Sequence, residues 1–283
     1  MNVKAKRRRI LRPVADAPAR NIYFELTEAF NATAPTVALA SGQAVVYYRI
    51  AIMSKDGDWI IRETRDACAS VLGELEARGA RYRPAAPLDV RWLAGGWSSH
   101  FEFFDARRRR VRCDFVSRPP RLSHAAIDAL FVRTERPPAL NVVDLAALIA
   151  LKQTQRAKDY AAIGELATRL PPEREIEVTT DPDRIIALAP MFGHSSSRSA
   201  VRAAHVGRHA VVVALAEEID TMQQVDRRRV AAYEAAAQPY IEACRAQDVS
   251  TLGLREAHAR MLEIGERLLP YTVEPGSAHA DAQ

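Results

Sequence analysis

The stretch Val37-Ala38-Leu39-Ala40-Ser41-Gly42-Gln43-Ala44-Val45, followed further on by Asp56-Gly57-Asp58-Trp59-Ile60-Ile61, decides how the rest of the chain is read. Four apolar residues lead into Ser41-Gly42, a small pair that permits a tight turn, and residues 43–48 can then begin a helix. Residues 50–53 and 59–61 read as strand material, separated by Ser54-Lys55-Asp56-Gly57-Asp58. Two readings of the acidic tripeptide compete. Asp-Gly between apolar runs is a strong hairpin-turn signal. In an extended segment, however, residues i and i+2 share a face, so Asp56 and Asp58 can present two oxygens to one hard cation.

Working outward, residues 22–31 read as a helix, and residues 66–78 place Cys68, Val71, Leu72 and Leu75 at helical spacing before Gly79, a good C-terminal stop. Residues 100–104 and 111–116 look like two arms of a hairpin, with the arginines at 107–110 in its exposed loop. Val111, Cys113 and Phe115 then share one face and Arg112, Asp114 and Val116 the other. Asp114, an acid in mid-strand, is either a charge on a solvated face or a companion of the earlier pair. Pro119-Pro120 ends this region, and Pro137-Pro138 precedes a long helix expected over about 144–170. After Pro171-Pro172 the pattern turns almost wholly helical, over 182–189, 200–237 with a break before Pro239, and 253–269. The expected fold class is α+β, an α/β-like core with a short mixed sheet, followed by an all-helical C-terminal domain. The expected divisions are a basic tail at 1–19, the core domain at 20–170, a helical domain at 171–270 and a fraying tail at 271–283.

With 283 residues, 48% hydrophobic and 27% charged, the composition is that of a globular protein. The longest apolar stretches, such as 142–151 with Asp144 inside it, fall far short of the ~20 residues a bilayer needs, so no membrane partner is expected. Three scattered cysteines fit neither a disulfide framework nor a zinc knuckle and suggest a cytoplasmic location. Lys4, Lys6, Arg7, Arg8, Arg9 and Arg12 account for the net charge of +5, because without them the remainder is −1. They form a solvated tail or an arm for an anionic partner such as nucleic acid.

The Ser-Gly pair, the Asp-x-Asp that follows it and the later mid-strand Asp114 together resemble the polymerase-β-type nucleotidyltransferase superfamily. Asp144-Leu145, Leu151-Lys152 and Arg156-Ala157-Lys158-Asp159 resemble its AbiEii-like toxin subgroup. The likeness spans roughly residues 37–166. It departs from the family pattern at Arg49, Ile52, Gly57 and Ala162. The resemblance implies Asp56, Asp58 and Asp114 as ligands of two Mg²⁺ ions and as catalytic residues. It further implies Lys152 as a catalytic residue, and Ser41, Gly42, Ser54, Lys152 and Arg156 as nucleotide contacts. The implied reaction moves a nucleoside monophosphate from an NTP to a hydroxyl acceptor, which could be RNA such as tRNA, a protein or a small molecule. A role in phage defence or as a toxin, with a cognate antitoxin as partner, is part of the same implication. The alternative is a catalytically idle relative that binds a nucleotide or partner in the same pocket.

Periodicity bears on Lys152 independently of any family. Leu145, Leu148, Ile163 and Leu166 define an apolar stripe in which Lys152, Arg156 and Asp159 also fall. Either Arg156 and Asp159 pair while Lys152 snorkels to water, or Lys152 reaches the triphosphate with Arg156 and Asp159 positioning it. Other features are weaker: Gly95-Gly96-Trp97-Ser98-Ser99-His100 reads as a phosphate-contacting loop or, at least as well, as a turn leading into a strand, and His205 with His209 lacks further metal-ligand partners.

Overall fold

A computed structural model describes residues 21–132 and 140–274. The basic stretch from Lys4 to Arg12, Pro137-Pro138 and the residues after Glu274 lie outside the described residues.

Helix α1 (Ile22–Phe30) starts where the Asn21 side chain accepts the Tyr23 N–H, and it buries Tyr23, Leu26 and Phe30. Strand β1 (Val37–Ala40) runs directly into α2 (Ser41–Tyr47), and β2 (Gly57–Ile61) follows. Helix α3 (Arg65–Ala77) is capped by Thr64 and stops before Gly79, whose φ of +65° suits a residue without Cβ. After β3 (Arg81–Tyr82) and the short α4 (Val90–Leu93) comes the expected hairpin, β4 (Ser98–Phe104) and β5 (Arg110–Val116). The sheet has five strands in the order β1-β2-β5-β4-β3, with β2 and β5 parallel and the other neighbours antiparallel. The remaining elements are helical: α5 (His124–Val132), α6 (Leu145–Lys152), α7 (Ala157–Ala167), α8 (Pro172–Val178), α9 (Pro182–Phe192), α10 (Ser199–Arg202), α11 (Arg208–Ala246) and α12 (Leu254–Leu268). The architecture is α+β, as expected.

Strand alternation divides the sheet into two chemically different faces. Trp59, Ile61, Phe101, Cys113 and Phe115 point to one side and pack with α1, α3, α12 and the distal part of α11. The Trp59 and Phe115 rings stack there with centroids 5.3 Å apart. On the other side Ala38, Ala40 and Ile60 pack against α5, α6 and α7, while Asp58 and Asp114 border a cleft.

Several expectations are corrected. Residues 50–53 are not a strand: Ile52 and Met53 are 98% and 76% exposed, because β2 finds its antiparallel partner in β1 across α2. Asp56-Gly57-Asp58 is not a hairpin turn but the entry into β2. The helix expected over 144–170 is broken into α6 and α7. At the break the Asp159 carboxylate takes Lys152 Nζ, Thr154 Oγ1 and Arg156 Nε, and Asp226 takes the Gln155 N–H, so side chains compete with the helical ladder. Helix α11 runs through Pro239. Pro239 and Ala235 are exposed, so the carbonyl that loses its donor faces water.

A boundary at 171 is crossed by the main core, to which Ala237, Tyr240, Leu254, Met261 and Ile264 belong. Residues 271–274 do not fray. Tyr271 packs on the Trp92 ring, Trp97 Nε1 donates to the Pro270 carbonyl, and Gly95 leaves room for the Tyr271 carbonyl where a Cβ would collide with it.

Candidate active site

The register of β2 brings the acids together. Asp58 stands opposite Ala40 on one side and opposite Asp114 on the other, so two carboxylates from segments far apart in sequence become neighbours on adjacent parallel strands. Both line a cleft of about 450 Å³ that also includes Ser41, His100, Thr154, Arg156 and Arg229. That volume is typical of a small-molecule site. A hollow of about 590 Å³ between α7 and α11 is larger, but its Glu218 is already held by Arg198 at 2.9 Å.

Burial acts on both acids, and repulsion from a neighbouring carboxylate adds to it in each. Burial first, then the Asp114 charge, push Asp58 up to about 6 against the opposing Ser41 hydroxyl. Burial likewise lifts Asp114 to about 6, with the Arg83 guanidinium opposing and Asp56 adding to the rise. His100, the cross-strand partner of Asp114, is pushed down to about 4 by burial and by Arg83, and its Nε2 lies 3.0 Å from Ser98 Oγ.

Ser41 opens α2 with a φ of +48°, a strained conformation for a residue with a side chain, and hydrogen bonds Asp58 from there. Gly42 lies against Ser54, and a Cβ at position 42 would collide with the Ser54 hydroxyl. Ser54 in turn is fixed through its carbonyl by Gln43 Nε2 at 2.9 Å, and Tyr23 Oη donates to the Lys55 carbonyl at 2.5 Å. These bonds aim the chain into β2. Gly57 is explained by the same packing: the rings of Trp59 and Tyr23 occupy the space a larger residue would need.

Asp56 sits just ahead of the strand and meets Arg112 Nη1 at 3.5 Å, while Asp114 meets Arg83 Nη1 at 3.0 Å. Among the described residues no group of three or more His, Cys, Asp or Glu is arranged to hold a metal ion. The oxygen donors of Asp58 and Asp114, paired in register and each driven toward protonation first by burial, are hard ligands of the kind a divalent cation takes, with Arg83 already on one oxygen of Asp114. Asp56 is adjacent, but its carboxylate is engaged by Arg112.

Lys152 lies apart from the cleft. Its ammonium is 3.2 Å from Asp159 Oδ1 and both side chains are less than 10% exposed, so it faces an internal carboxylate and is not among the residues lining the cleft. Burial would raise Asp159, but Lys152, Thr154 and Arg156 together hold it below the ordinary carboxylate value. Arg156 does line the cleft, with Nε 2.9 Å from Asp159 Oδ2 and half of its side chain exposed.

Sequence reasoning missed Arg83, Arg121, Asp226 and Arg229, and it did not join His100 to Asp114. Only the cross-strand pairing of His100 with Asp114 leaves a trace in the sequence, as alternation along a strand. The others arrive through tertiary packing.

No family model matches the chain, and no curated protein matches it. Among solved structures it is similar to two from Helicobacter pylori. One, described as a "putative nucleotidyltransferase", shares 9% identity at a TM-score of 0.39, covering 72% of this chain and 92% of that one. The other, JHP933, shares 9% identity at a TM-score of 0.38, covering 76% and 94%. At such distances the chemistry of the cleft rests on its own residues.

Proposed function

We propose that the cleft is the active site of a Mg²⁺-dependent nucleotidyltransferase that moves a nucleoside monophosphate from an NTP to a hydroxyl acceptor. The observation that carries this reading is the register pairing of Asp58 with Asp114 at the edge of a cleft that also holds Ser41 and Arg156. Asp58 and Asp114 would hold the cation, and Asp56 would join them after leaving Arg112. When bound, Mg²⁺ supplies Lewis acidity for charge developing on the phosphoryl oxygens.

The residues divide the remaining work. Ser41 orients Asp58 through its hydroxyl, and Ser41 with Gly42 offers the triphosphate short, close-approaching groups. Arg156 supplies positive charge. The acceptor oxygen forms a bond to the α-phosphorus, the bond from that phosphorus to the bridging oxygen breaks, and pyrophosphate leaves with the electron pair. The acceptor proton passes to a carboxylate oxygen of Asp114. Incubation with Mg²⁺ and an α-labelled NTP tests the reading: label should appear on an acceptor from an RNA, protein or small-molecule pool, and complete absence of transfer would overturn it. Toxin or phage-defence activity with an antitoxin is the biological setting that follows from the sequence resemblance.

A second reading is favoured by a specific observation. Arg83 on Asp114 and Arg112 on Asp56 occupy two of the three acids, as in an idle relative that binds nucleotide without turnover. Calorimetry with Mg²⁺-NTP separates the two, since heat of binding without label transfer supports the idle form.

A further inference from the structure

The cleft is also lined by three arginines from separate parts of the chain: Arg121 from the segment after β5, Arg156 from the α6–α7 break and Arg229 from α11. Arg121 has a backbone φ of +72°, gives Nε to the Gln153 carbonyl at 2.7 Å and gives Nη2 to the Met222 carbonyl at 3.2 Å. Neutral carbonyls place that charge without cancelling it. Arg229 reaches Asp226 Oδ1 at 3.2 Å and lies 5.8 Å from the centroid of the Tyr233 ring. Asp226 is 5% exposed and accepts the Gln155 N–H at 2.9 Å on its other oxygen, which ties α11 to the break.

On this wall Arg121, Arg156 and Arg229 outnumber the carboxylates they touch, Asp159 and Asp226, and Asp159 is met from behind by the buried Lys152 as well. The positive surplus shares one cleft with the carboxylates of Asp58 and Asp114, the latter also met by Arg83 at 3.0 Å. A ligand that satisfies both parts must be anionic and must also carry a cation toward the acids. A polyphosphate chelating a divalent ion has that chemistry.

We propose that Arg121 and Arg229 join Arg156 as the polyphosphate-binding wall, so that α11, outside the stretch that carries the sequence resemblance, completes the nucleotide site. This rests on the nucleotidyl-transfer reading and assigns the residues that receive its substrate.

The test is calorimetric titration of the full chain with sodium tripolyphosphate, with and without Mg²⁺. Arg229→Met and Arg121→Met are each expected to weaken binding about ten-fold, the loss of a charge-assisted contact. Asp226→Asn should tighten it, because an amide oxygen can still accept the Gln155 N–H while one negative charge leaves the wall. A role limited to anchoring α11 would weaken binding in all three variants, so a weaker Asp226→Asn overturns the proposal. Binding by Arg229→Met and Arg121→Met within two-fold of the parent also overturns it, even if label transfer is confirmed. The expected pattern of opposite signs, found in a protein that transfers no label, supports the wall and refutes the transfer reading alone.

Discussion

Two acid sites in this fold respond to burial in opposite ways. Asp58 and Asp114 stand half-buried beside each other and are both pushed up to about 6. Asp159, fully buried, is held below its ordinary value because Lys152 and Arg156 stand beside it. The difference is the company each acid keeps. A carboxylate with Lys152, Arg156 and Thr154 fixed on it is satisfied and holds structure together, whereas Asp58 and Asp114 stand side by side with Arg83 on Asp114 and can take a ligand that brings further positive charge. In the nucleotidyl-transfer reading proposed above, this contrast puts the sheet acids at the centre of the chemistry and Lys152 in a structural ion pair.

The largest expected effect breaks the unsatisfied pair. Asp58→Asn or Asp114→Asn should lower label transfer by on the order of 10³-fold, the equivalent of several kcal/mol of lost charge stabilisation. The fold should be retained, since Asp58→Asn removes a repulsion and Asp114→Asn removes one together with the partly exposed Arg83 ion pair, and circular dichroism checks that. Residual transfer near the parental rate in both variants would remove the mechanism.

Breaking the satisfied pair should instead destabilise the protein. Lys152→Met leaves Asp159 with less compensation in a buried position and should cost about 3–5 kcal/mol, read as a fall in the denaturant midpoint. If stability is unchanged and transfer is lost, Lys152 belongs to the chemistry after all.

A smaller loss is expected at the strand entry. Gly57→Val must displace the Trp59 and Tyr23 rings and should destabilise by roughly 1–3 kcal/mol of overpacking. Parental stability in this variant would mean that the rings yield freely.

Proton linkage sharpens the comparison. Asp58 and Asp114 have folded values near 6, above the unfolded carboxylate, so without metal their contribution is full below about pH 4 and is lost as pH rises through 6. Asp159 behaves oppositely: its contribution is present above the unfolded value and is lost as pH falls through its lowered folded value. Denaturation between pH 3 and 7 should therefore show the Asp114→Asn protein losing less stability between pH 4 and 6 than the parent. Identical profiles would contradict the coupling of the two sheet acids.

Much of the fold was legible in the sequence because its signals are local. Residues 22–31 read as helical, residues 66–78 announced a helix through apolar spacing and the glycine at 79, and the alternation of Val111, Cys113 and Phe115 with Arg112, Asp114 and Val116 identified both faces of β5. Ser41-Gly42 marked the strand-to-helix turn. The long helix over 144–170 misled because helical periodicity persists across the break, while the bonds that interrupt it involve Asp159 and Asp226, the latter on a helix remote in sequence. Pro239 misled in the other direction, since a proline on a solvated helix face leaves its orphan carbonyl to water.

The amino-acid order alone determined which residue types were available and where they fall on each element: acids two apart, an acid in mid-strand, and small residues at the turn. Alternation and helical spacing are properties of neighbouring residues and need no distant partner. Tertiary structure decided which acids meet, through the parallel register of β2 with β5, and which cations surround them, through the docking of α11 on the α6–α7 break. Electrostatic character depends on separation in space, so whether a buried charge is satisfied or unsatisfied emerges only after distant segments pack together.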